Sequence, residues 1–190
     1  MDLEINVKER IGFGKRLIAY IIDMILSTIL GFIISFSFGK SLVDFFYESS
    51  EINEIIITFE KFENILPGIS NFIKIFFEVG SVIALIGFLI MFLEAMSGQT
   101  PGKMFLGIKN GNQDGSNATT TTLLVRTLIK NISSVLSLIA VILSVTILGN
   151  IGSFLGFIIF IGCFFTLGDS KQSIHDMIAK TAVYNKSELN

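Results

Sequence analysis

A carboxylate inside an apolar stretch is the feature of this chain best placed to do chemistry, and Asp23 is one. It is the only charged residue between Leu17 and Phe38. Counted from Leu17 at 1.5 Å per residue, it lies about 9 Å into such a run. A charged side chain at the centre of a bilayer costs about 2.5–3.5 kcal/mol on insertion scales. At lesser depth the cost falls, yet the group still demands a partner, water or a proton. Two readings follow: an ion or proton site, or a structural hydrogen bond between helices. Arg16, Tyr20, Asp23, Ser27 and Gly31 fall within an arc of about 80° on a helical wheel, so this face is expected to look inward.

The remaining ionisable candidates stand at the edges of apolar runs. Glu78 and Glu94 flank a second run, about 160° apart on the wheel and so not on one face. Arg126 and Lys130 precede a third. Asp169, Lys171, His175 and Asp176 follow the last, where they are expected to close the inner face by pairing with Arg16 or Arg126. The plainer alternative is a solvated tail whose loose ion pairs contribute little. A single cysteine, Cys163, excludes an intrachain disulfide, and one histidine leaves too few soft ligands for zinc. No metal or other cofactor is therefore expected. No nucleophile, base and acid stand at a motif spacing, which argues against an enzyme. The loop Gly98-Gln99-Thr100-Pro101-Gly102-Lys103 fails as a phosphate loop, because three residues rather than four separate its glycines and Met104 follows the lysine. Thr100 and Pro101 suit instead the cap and first position of a helix, with Lys103 expected at the lipid headgroups.

These residues need helices in a membrane to position them. Of 190 residues, 51% are hydrophobic and only 16% charged, against about a quarter charged in soluble domains. Mean hydropathy is +0.72, and the net charge of −2 argues against a nucleic-acid partner. The sequence predicts an all-α integral membrane bundle in a single domain. Its four spans are expected near residues 17–38, 75–96, 132–148 and 151–167, the last two separated at Gly149-Asn150-Ile151-Gly152, with a helical hairpin that does not cross fully as the competing reading. The first is expected to be a retained span rather than a cleaved leader. Ile52, Ile55, Ile56, Phe59 and Phe62, with glutamates between them, predict an amphipathic interfacial helix that ends at Pro67-Gly68. Thr119 to Thr122 offer a cap to the helix carrying Arg126. With four spans, 11 of the 14 lysines and arginines fall on the side of the N-terminus, so both termini are expected in the cytoplasm. Small residues recur at Gly152 and Gly156, at Ser133, Ser137, Ala140 and Ser144, and at Gly80, Ala84 and Gly87. In lipid such stripes let helices approach closely, and the Gly152/Gly156 face offers a contact for an oligomer.

Taken in order, Arg16 at the head of the first span, Asp23 within it and the tail Asp-x-x-x-Ser-x-His-Asp-x-x-Ala-x-Thr resemble the RDD family, named for one arginine and two aspartates. Gly-Gln-Thr-Pro-Gly-Lys followed by Leu106-Gly107-Ile108 is similar to that family's signature after its second span, and Arg126 fits as well. The resemblance covers roughly Gly12 to Thr181 and makes Arg16, Asp23 and Asp176 the naming residues. Asp169 is a second candidate for the tail aspartate, and Lys171-Gln172 stand where family tails usually carry arginine. Transport, including cation/proton exchange, is what the resemblance implies. A small transporter or transporter subunit in the plasma membrane, with Asp23 as its ion or proton site and Arg16 tuning it, is thus the first expectation. The second is a non-catalytic assembly protein that binds another membrane protein or lipid. A second copy of the chain is an expected partner in either case.

Overall fold

The computed structural model describes residues 8–47 and 50–189. Of the expected amphipathic stripe, the side chains of Glu51 and Ile52 lie outside the described part. The chain is an all-α membrane protein. In order, α1 spans Phe13–Tyr47, α2 Ser50–Glu60, α3 Ile69–Ser97, α4 Pro101–Phe105, α5 Thr120–Lys130, α6 Ile132–Leu143, α7 Thr146–Cys163 and α8 Ile174–Ile178. Strands β1, Ile108–Asn112, and β2, Thr181–Asn185, are the exception to the helical pattern. The polar loop after the second span and the tail each hide one of them.

Among the described residues, three segments are long and apolar enough to cross a membrane: Phe13–Ser37, Ile69–Ser97 and Thr146–Leu167. A fourth exists only if α5 and α6, bent by 73° at Asn131, count as one broken span. The expected span at 132–148 is therefore shorter, since α6 ends at Leu143. The turn falls at Ser144 and Val145, where Ser144 takes a φ of 53°, and not at Gly149–Gly152, which lie inside α7. Packing explains the difference. A Cβ on Gly152 would stand 2.9 Å from the Cβ of Leu136, and one on Gly156 would stand 2.7 Å from that of Ser133. The glycines let α7 close on α6, so they serve the hairpin's contact rather than its turn. The face expected to meet another copy is occupied within the chain.

The chain forms two compact units, Met24–Leu89 and the residues before and after it. In the first, Ile56, Val82 and Ile86 are buried, and Gly31 takes the side chain of Ile83 so closely that a Cβ would meet its Cγ1 at 2.5 Å. Gly68, with φ 87°, turns the chain before α3. The Glu63 carboxylate accepts the N–H groups of Gly68 and Ser70 at 2.6 and 3.1 Å, capping the helix that starts there.

In the second unit β1 pairs antiparallel with β2, Ile108 opposite Asn185 and Asn112 opposite Thr181. Arg10 bridges to Tyr184 on the other side of β2, and Ile11 N–H donates to Val183 O at 2.7 Å. Ile11, Ala19, Ile108 and Val183 form a small apolar core packed by Leu106. The tail is thus buried rather than solvated: four of the five β2 residues, Thr181 to Tyr184, are at most 1% exposed. Its β-branched and aromatic residues suit a strand covered on both faces.

Candidate functional site

Glu94 ends an apolar helix with its side chain 1% exposed, and three cations converge on it. Lys103 Nζ donates to its Oε1 at 2.5 Å, Arg126 Nη1 to the same oxygen at 2.9 Å, and Lys130 Nζ to Oε2 at 2.7 Å. Asn110 completes the set, giving its amide to Glu94 at 3.1 Å and accepting from Lys103 at 2.7 Å. Local sequence explains each position. Thr100 caps α4 by accepting the Lys103 N–H at 3.2 Å, and Pro101 opens the turn. That turn brings Lys103 back over Glu94, β1 supplies Asn110, and α5 presents Arg126 and Lys130 four residues apart on one face. Thr119 caps α5 as expected, accepting the Thr122 N–H at 3.3 Å.

Arg126 joins this carboxylate to a second. Its Nε donates to Asp176 Oδ1 at 2.8 Å, while Arg16 Nη1 holds the other oxygen of Asp176. Asp176 is fully buried, and Ser173 N–H also donates to it at 3.3 Å. Arg16 spends its other donors on backbone carbonyls, Nε on Ile11 at 2.9 Å and Nη2 on Lys171 at 2.7 Å. One planar guanidinium thereby ties the head of α1 to the segment before α8. An ammonium has no such fork. Both pairings expected of Asp176, with Arg16 and with Arg126, are present together.

Burial sets the proton affinities. It pushes the Lys103 ammonium down to about 7, against the pull of Glu94 and with the help of Arg126 and Lys130. Burial and then Arg126 push His175 down to about 3, so its ring is neutral at neutral pH. For Asp176 burial acts upward, but Arg126 and Arg16 outweigh it and hold the carboxylate well below the usual range. His175 Nε2 lies 2.9 Å from Ser173 Oγ and 3.4 Å from Arg126 Nη2.

Asp23 is joined to this region through backbone. Its Oδ1 accepts the Gly102 N–H at 2.7 Å, at the start of the one-turn helix that carries Lys103. Asp169 is exposed and stands outside the network. Tyr20, expected to face inward with Asp23, is 64% exposed, because Ala19 takes the buried position beside Gly102. Lys103, expected at the headgroups, is 7% exposed. Its partners come from α3 and β1, so no local spacing marks it. Asn110 was missed for the same reason. Among the described residues, no group of three or more His, Cys, Asp or Glu is arranged to hold a metal ion.

Arginine at the head of a span, aspartate within it and a buried tail aspartate define a membrane domain built around one ion-pair network. The family model of the RDD family matches residues 10–180, and the chain belongs to that family. No curated protein and no solved structure matches the chain.

Proposed function

We propose that the chain is a small membrane transporter, or a subunit of one, that exchanges a cation for a proton at Asp23. The observation that supports it is the hydrogen bond from Gly102 N–H to Asp23. It places a carboxylate of an apolar span against the short helix bearing Lys103, whose burial brings its proton affinity close to neutral pH. A cation at Asp23 competes with that N–H, and a shift of α4 alters the grip of Lys103 on Glu94. Cation and proton are then coupled because each favours a different position of one turn. In this reading both termini face the cytoplasm of a plasma-membrane protein, which the distribution of lysine and arginine supports. Few spans leave little interior for a path, so a second copy or another membrane protein completes it. No catalytic step is assigned.

A second reading, a non-catalytic assembly protein that binds a membrane protein or lipid, is favoured by a different observation. Arg16, Glu94, Arg126, Lys130 and Asp176 gather at one end of their helices and pair with one another. A network confined to one end resembles a latch more than a conduit. Cation-driven proton flux in proteoliposomes, wild type against Asp23→Asn at matched incorporation, separates the two. Flux lost in a variant that still inserts and folds carries the transport reading. Absence of flux in both proteins across several cations sinks it in favour of assembly.

A further inference from the structure

The charges of the network do not balance. Among the described residues, Arg16, Lys103, Arg126 and Lys130 pair with two carboxylates, Glu94 and Asp176, and each of the six makes an ion pair with another of them. His175 adds no negative charge. With Lys103 protonated the cluster holds an excess of two positive charges, three of its four cations being at most 13% exposed. Excess charge on buried groups is costly unless it is neutralised by loss of a proton or paired with a counter-ion. Among the described residues, two nearby polar atoms are also buried without a hydrogen-bond partner: Nδ1 of His175, whose Nε2 meets Arg126, and Oγ1 of Thr127, the residue after Arg126. His175 Nε2 faces a hydroxyl and a guanidinium donor, which leaves the proton on Nδ1: a buried N–H donor with no acceptor. Thr127 sits between Arg126 and Lys130 in sequence and is 3% exposed. Lys130, at 35%, is the most exposed of the four cations, the others being at most 13%.

We propose that this cluster is an anion site for a phosphate group, which enters beside Lys130 at the bend between α5 and α6. A phosphate group brings negative charge and several acceptor oxygens, matching an excess of cations and unpartnered donors. The group is carried either by an anionic phospholipid or by a soluble phosphate. Asp23 takes no part in it, so the inference goes beyond the transport reading and does not depend on it.

The test uses the purified full chain in a neutral detergent and follows thermal unfolding. One arm titrates inorganic phosphate against sodium chloride at equal ionic strength. The other titrates short-chain phosphatidylglycerol against short-chain phosphatidylcholine. Stabilisation by phosphatidylglycerol alone supports the site with a lipid as its source, and stabilisation by inorganic phosphate as well supports it with a soluble one. In Lys130→Gln the apparent affinity is expected to fall about tenfold or more, as for loss of one charge-assisted hydrogen bond. Thr127→Val, which removes a hydroxyl and no charge, is expected to weaken binding by a smaller factor, and it decides the matter if Lys130→Gln does not fold. No stabilisation in either arm, or an effect unchanged in the folded variants, overturns the proposal.

Discussion

Gly102 lies against the carbonyl of Ala19, so closely that a Cβ built on it would stand 2.1 Å from that oxygen. The contact is backbone against backbone, and neither side can yield without moving a helix. The same residue donates its N–H to Asp23. Gly102→Ala is therefore expected to lower stability by about 1–3 kcal/mol, the usual range for overpacking, read as a fall in melting temperature in detergent. Gly14→Ala is the control. Among the described residues its added Cβ meets nothing within 4 Å, and the melting temperature should stay near the wild-type value.

Removing one member of the buried network leaves opposite charges stranded. Asp176→Asn deprives Arg16 and Arg126 of a shared carboxylate and is expected to cost about 3–5 kcal/mol. Arg16→Lys keeps the charge but gives up the fork that reaches Ile11 O, Lys171 O and Asp176 at once. It should therefore recover little of what Arg16→Ala loses. Denaturant unfolding of these variants measures both, and near-complete recovery by lysine would contradict the fork argument.

Titration gives two pH windows of the same sense, stability rising with pH across each. An unfolded lysine keeps its proton up to its ordinary value of 10.5, whereas Lys103 in the folded chain loses it at about 7. Between those values the unfolded state binds more protons, so stability rises with pH across that window. Lys103→Met should flatten the rise.

On the acid side His175 falls from 6.5 to about 3. The unfolded chain takes up a proton first, so stability declines as pH drops from about 6.5 toward 3. Asp176, with its depressed affinity, adds its own loss below the ordinary aspartate value of 3.8. His175→Gln should remove the part of the decline that lies above the aspartate range. Melting temperatures from pH 4 to 10 test both windows.

The α6–α7 hairpin depends on Gly152 and Gly156 lying against Leu136 and Ser133. Gly156→Val should lower the melting temperature while leaving the mass from light scattering unchanged. A change of oligomeric state with stability intact would mean that this face meets another copy instead.

Legibility in the sequence followed the range of each interaction. The spans showed as long apolar runs, and the caps at Thr100 and Thr119 showed because capping is settled within three residues. Asp176 was linked to Arg16 only as one of several tail charges and by the order of motifs, since 160 residues separate the pair. Lys103 looked like a headgroup lysine because its loop is polar. Nothing near it announces that Glu94, Asn110 and the α5 cations enclose it. β2 was missed because five residues beside a capped turn carry little periodicity, and it gains its burial from Ile11 and β1. The turn after α6 was misplaced because glycine signals both a break and a close helix contact.

The last strand and Asp176 both follow every span in the chain. During synthesis the apolar helices are therefore made before the residues that neutralise Arg16 and complete the sheet. The Glu94 pairs can form earlier, but Arg16 gains its carboxylate only after Asp176 has emerged, and a chain stopped short of Asp176 would leave that arginine for quality control to find.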